Sequence, residues 1–304
     1  MNTRIPLYAQ CFGDTLIAPT ELQIPCGAGP IPIIYGFGSL WIGCTNAQTV
    51  ERRDLNGILQ ATIALGTGHL AEGLCVGAGS IWIADAPGAQ VLRVDPSTNA
   101  VIASIPVGAG PLHVCFDGAY IWSSNNGAGS ISKIDPSTNT VSGSLGPVTT
   151  PSYRMCFDGT NLWVGDWTGD RVARVNLTTG ATTYVTGISE PWGMCFDGAS
   201  VWVSSYGSGA LYAIDPVTSS IIASVALETG AGPHEVIPVK DEIWVANSST
   251  NHVQCVGALE YAVRRTFSTA SDPAGLCDDG SGSVWVTAAL GNTIMRRQIE
   301  TRWT

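Results

Sequence analysis

His113, His234, Glu235 and Glu72 are the residues of this chain best suited to proton transfer. The chain has four histidines, His69, His113, His234 and His252, and only His234 is followed directly by a carboxylate, Glu235. An imidazole and a carboxylate side by side can act as general base and general acid, with His113 and Glu72 as further candidates. A second set suits binding better than chemistry. Tyr153, Trp167, Trp192 and Tyr206 offer flat faces for stacking, and Arg154 offers a fork for an anion or a carbonyl. Metal chemistry has weaker support. The histidines lack the short zinc spacings and there is no Cys-x-x-Cys. A metal shared by His113, His234 and Glu72 is the one arrangement on offer, and the expectation is that no metal is bound. No Gly-x-Ser-x-Gly elbow is present either.

These candidates share a position. Trp41, Trp82, Trp122, Trp163, Trp202, Trp244 and Trp285 recur every 39–42 residues, each inside an apolar run such as Ile81-Trp82-Ile83-Ala84. Nine or ten places before each tryptophan, allowing one-residue shifts, stand Glu72, His113, Tyr153 with Arg154, Trp192, and His234 with Glu235. One unit reads in full. Residues 111–116 are a first strand, A, and Asp117-Gly118 is a hairpin turn. Residues 120–123 are strand B, 130–134 strand C and 140–145 strand D, with Asp135-Pro136 opening the C–D turn. Four short antiparallel strands per unit of about 40 residues is the pattern of a β-propeller blade.

Seven tryptophans therefore predict an all-β fold, a single seven-bladed propeller over residues 20–304. The last unit stops after strand C, near Ile299, and residues 21–30 match residues 102–111 closely. The N-terminal strand is thus expected to complete the last blade and close the ring. Residues 1–19 fall outside the repeat and read as an N-terminal extension. In such a ring the A–B and C–D turns share one face, whose Asp-Gly and Asp-Pro pairs read as turn chemistry alone. The D–A and B–C loops surround the channel mouth on the other face. Asp166, Trp167 and Tyr206 lie in those B–C loops and join the ring of candidates.

Composition narrows the function. Hydrophobic residues make up 45% of the chain and charged residues 12%, which excludes disorder. A net charge of −10 argues against a nucleic-acid partner. No apolar run is long enough to span a membrane, and the N-terminus lacks a signal peptide's apolar region, so synthesis in the cytosol is expected. Five of the nine cysteines, Cys75, Cys115, Cys156, Cys195 and Cys277, recur at one repeat position. They read as small core residues with free thiols rather than as a disulfide framework.

Units such as residues 91–111 resemble YVTN-type propeller repeats. The run from Pro191 to Val203 is similar to NHL-type and streptogramin-lyase-like propellers. The first resemblance implies fold only. The second implies an enzyme whose histidines and glutamates work with a magnesium ion, for which His113, His234 and Glu235 are the candidates here. The leading expectation is a non-catalytic scaffold or binding module with protein partners in a larger assembly, and a virion (phage) structural component fits it. The alternatives are a metal-dependent propeller enzyme, lyase-like or lactonase-like, and a propeller that binds a carbohydrate, peptide or other small molecule at the mouth through Glu72, Tyr153, Arg154, Trp167, Trp192 and Tyr206.

Overall fold

The computed structural model describes residues 22–146 and 152–299. The expected extension, residues 1–19, lies outside them. Among the described residues there are twenty-eight strands, β1–β28 in chain order, arranged as seven four-stranded antiparallel sheets. Blade three shows the rule, with Pro111–Phe116, Ile121–Asn125, Ser130–Asp135 and Thr140–Leu145 paired in that order. The innermost A strands, β2 (Pro30–Gly36), β6 (Gly73–Gly77), β10 (Pro111–Phe116), β14 (Ser152–Phe157), β18 (Pro191–Phe196), β22 (Pro233–Val239) and β26 (Pro273–Asp278), line a central channel. β1 (Leu22–Pro25) pairs antiparallel with β28 (Thr293–Gln298), from Leu22 opposite Arg296 to Pro25 opposite Thr293. The N-terminal strand therefore closes the ring as the fourth strand of blade seven.

The repeat tryptophans are the core between blades. Each stands opposite a cysteine or isoleucine of its A strand, as Cys75 opposite Trp82 and Cys156 opposite Trp163. Trp163 also packs against Met194, Val201 and Val203 of the next blade. Burying such a side chain contributes roughly 1.5–3 kcal/mol, so seven of these interfaces outweigh any surface ion pair. The eight described cysteines are free thiols.

The Asp-Gly turns do more than turn. Indole N–H groups of Trp122, Trp163 and Trp202 donate to Asp117, Asp158 and Asp197 at 2.7 Å, and Trp285 donates to Asp279 at 3.0 Å. Trp41 and Trp82 use the carbonyls of Gly36 and Gly77 instead. Blade six has no such aspartate, and the buried Trp244 Nε1 has no acceptor among the described residues. Strand C supplies a cation over most of these rings. Arg52, Arg93, Lys133, Arg174 and Arg296 lie directly across from their tryptophans, 4.9–5.8 Å from the ring centres. Three of them also reach the next blade. Arg93 donates to Pro136 O and Asn139 Oδ1 at 2.7 Å, and Arg52 and Arg174 make the same reach to the turns at Pro96–Asn99 and Val217–Ser219. Asn99 and Asn139 sit at φ 58° and 55°, a left-handed conformation that asparagine tolerates better than most residues.

Candidate functional site

Six of the seven A strands carry a register shift near their start, at Pro30/Ile33, Pro111/His113, Ser152/Met155, Pro191/Met194, Pro233/Val236 and Pro273/Leu276. A regular strand sends successive side chains to opposite faces, and a bulge breaks that alternation and re-aims them. The shifts fall on the positions that hold His113, Arg154, Trp192, His234 and Glu235. Glycine packs the strands close at the same level. A Cβ on Gly193 would stand 2.2 Å from His234 O, and one on Gly73 would stand 2.8 Å from the Cα of His113. Ser204 Oγ donates to His234 O at 2.6 Å and accepts from Gly193 N at 2.8 Å, pinning blade five to blade six.

Four rings from three blades then meet at the mouth. Trp192 and His234 are stacked, 4.6 Å apart and 10° from parallel. Trp167 meets Trp192 edge-on at 5.1 Å and lies 5.5 Å from Tyr206. Tyr206 lies 5.8 Å from His234. Trp167, Trp192 and His234 are half-buried and Tyr206 is exposed. Ser248 Oγ lies 3.3 Å from His234 Nε2 and donates to Gly232 O at 3.0 Å. Ser248 went unnoticed in the sequence, where a serine in a serine-rich loop carries no signal.

Arg154 is the electrostatic hub. It is 7% exposed, its Nη2 lies 3.3 Å from Glu235 Oε2, and its Nη1 points at Glu72 O from 3.4 Å. Both contacts are long for a guanidinium. Burial raises the carboxyl groups of Glu72 and Glu235 above the ordinary glutamate range, and Arg154 pulls both back in part. Burial lowers His234 to about 4, and lowers His113 well below the usual imidazole value, with Arg154 adding to both. Both imidazoles are therefore neutral at physiological pH. His113 Nδ1 is buried with no hydrogen-bond partner among the described residues.

The structure thus brings together Glu72, His113, Arg154, Trp167, Trp192, Tyr206, His234 and Glu235. Tyr153 lies on β14, and its side chain falls outside the described residues. Asp166 does not reach the mouth as expected. It is buried, pairs with Arg171 at 2.7 Å and accepts from Gly169 N at 3.1 Å, so its charge is spent within its own loop. His69 and His252 are held in the same manner, by Asp85 at 2.6 Å and Glu228 at 2.7 Å.

The donor set does not fit a divalent cation. The carboxylate of Glu235 faces the guanidinium of Arg154, whose charge also acts on that of Glu72. Among the described residues no three His, Cys, Asp or Glu side chains converge on a point where a metal could sit.

No family model and no curated protein matches the chain. Solved structures do. A streptogramin B lyase aligns with a TM-score of 0.78 at 19% identity, over 91% of this chain and 95% of that one. A catalytically inactive form of virginiamycin B lyase from Staphylococcus aureus with quinupristin aligns with a TM-score of 0.81 at 15% identity, over 92% and 99%. The hydrazine synthase of Kuenenia stuttgartiensis aligns with 0.78 at 14% identity, over 93% and 98%. At such identities the likeness is one of fold, and in fold the chain is a streptogramin-lyase-like seven-bladed propeller.

Proposed function

We propose that this chain is a ligand-binding propeller whose recognition site is the channel mouth between blades four, five and six. The ligand is a small molecule with at least one flat ring face, such as a sugar or an aromatic group on a peptide. One observation carries this reading: the contiguous cluster of Trp167, Trp192, Tyr206 and His234 beside the buried, loosely held Arg154. Aromatic walls with a few convergent polar groups are the usual make-up of a ligand site. The ring faces supply stacking, and Arg154, Glu235 and Ser248 supply directional contacts. The assembly reading draws on the low charge of the chain, the lack of a decisive catalytic constellation and the extension at residues 1–19, outside the described residues, whereas the mouth supports binding from the residues themselves.

Titration against glycan and peptide panels, read by tryptophan fluorescence, tests the proposal, with quinupristin as a further ligand tried. The expected result is a saturable change in the wild type that falls at least tenfold in affinity in Trp192→Ala, a loss of about 1.4 kcal/mol or more. A flat response across both panels would overturn it.

A lyase-type activity is favoured by one further observation, that His234 is neutral down to about pH 4 and has Glu235 beside it. A base acts in its deprotonated form, so kcat/KM for such a reaction is expected to rise through about pH 4 rather than near 6.5. It then stays level to neutrality, and His234→Ala abolishes turnover without unfolding. Turnover retained in that variant rules His234 out as the base.

A further inference from the structure

Behind the polar mouth the A strands line an open channel of about 580 Å³, inside the range of roughly 300–1,000 Å³ typical of small-molecule sites. Its composition changes with depth. His113 and Glu235 are at the polar end. The middle level is the ring of Cys75, Cys115, Cys156, Cys195 and Cys277. Burial pushes the thiol of each of these cysteines up, so at neutral pH they are uncharged, weakly polar wall atoms. The far end opens on the turn face through a collar of Tyr35, Val76, Phe116, Phe157 and Phe196. Val76 is 37% exposed there and the aromatic members are half-buried. The turn face was expected to hold turn chemistry alone, yet one strand residue from each blade makes this an apolar rim, broken by Asp278.

Water is poorly served in such a space. An ordered water needs two to four polar partners, so water along an apolar wall is held weakly and is readily displaced by an apolar guest. Along the thiol level those partners are absent from the lining side chains. The nearest polar side chain is that of His113, whose Nδ1 is buried and turned away from the open channel space. A carboxylate at the far rim, Asp278, disfavours an anionic guest.

We propose that the central channel is a second binding site, for a small neutral apolar molecule that enters through the aromatic collar and lies along the thiol wall. The site is separate from the aromatic patch at the mouth and does not depend on it. The cysteine ring serves as an uncharged wall, and the repetition of cysteine around the channel keeps that wall wide enough to hold a guest.

Fluorescence titration with N-phenyl-1-naphthylamine tests this, because the probe is neutral and apolar. The expected result is one equivalent bound with enhanced, blue-shifted emission. Cys156→Phe fills the thiol level and is expected to abolish binding. Since that change can overpack the blade interface, Val76→Arg provides the second variant. It places a charge at the exposed rim, and a tenfold or greater loss of affinity is expected with the thermal midpoint unchanged. Absence of saturable binding overturns the proposal. So does binding that survives both variants, or binding lost in Trp192→Ala but kept in Val76→Arg, which would put the probe at the mouth.

Discussion

Replacing Arg154 with methionine is expected to destabilise the protein by about 3 kcal/mol at pH 8, and by far less near pH 4. Removing one partner of a buried ion pair costs roughly 3–5 kcal/mol because the other charge is stranded. Here the stranded groups are the carboxylates of Glu235 and Glu72, and both can escape by taking up a proton. Their carboxyl groups already bind protons more tightly in the fold than in the unfolded chain, because burial outweighs the pull of Arg154. Where the folded state holds more protons than the unfolded state, stability falls as pH rises. That loss develops as pH climbs through the raised folded values, and it deepens once Arg154 is gone. Chemical denaturation of wild type and variant across pH 4–8 provides the check. A loss that is the same at every pH would mean that Arg154 acts through packing and not as the countercharge of the mouth.

Removing residues 1–25 is expected to have a comparable effect by another route. The deletion takes β1 from blade seven and leaves the edge of β28 unpaired. It also removes Ile24, which packs with Trp285, Ile294 and Leu40. Burial of one isoleucine at roughly 1.5–3 kcal/mol and a short ladder of hydrogen bonds at about 1 kcal/mol each sum to a loss on the order of 4 kcal/mol. For a chain of this size that lowers the thermal midpoint by on the order of 10 °C. The bare edge also becomes a template for pairing between chains, so the truncated protein is expected to self-associate. Calorimetry and light scattering on the same sample would show both effects. An unchanged midpoint would mean that the ring does not depend on its closing strand.

The fold was legible because each blade repeats its own evidence. Seven tryptophans, the Asp-Gly and Asp-Pro turns and the match between residues 21–30 and 102–111 all encode local periodicity, and closure by β1 followed from them. The mouth was legible for the same reason, since Trp192 and His234 stand at a fixed offset from a repeated residue. Six of the seven A strands are bulged at the level of these residues, which no single repeat reveals. Features that depend on how blades meet were not legible. The reach of Arg93 to Pro136 and Asn139 joins residues more than forty apart. The hub role of Arg154 depends on carboxylates and imidazoles from three other blades. The collar of Phe116, Phe157 and Phe196 looked like ordinary strand ends, because burial around a closed ring cannot be seen in any one repeat.

The cations that lie over the repeat tryptophans have an effect far outside the blades. The chain holds 14 lysines and arginines against 24 acids, and six of those cations, Arg52, Arg93, Lys133, Arg174, Arg265 and Arg296, are fixed over indole rings, keeping their charge but not free to reach out to a ligand. Arg154 is buried as well. What a diffusing molecule meets first is therefore a field dominated by carboxylates, which acts over about 10 Å in dilute salt and less in concentrated salt. Electrostatic steering of this kind alters association rates by tenfold or more. Cations are drawn towards the propeller and anions are slowed, and added salt weakens both effects. The first discrimination among ligands is thus one of arrival rate, made before any ring has stacked.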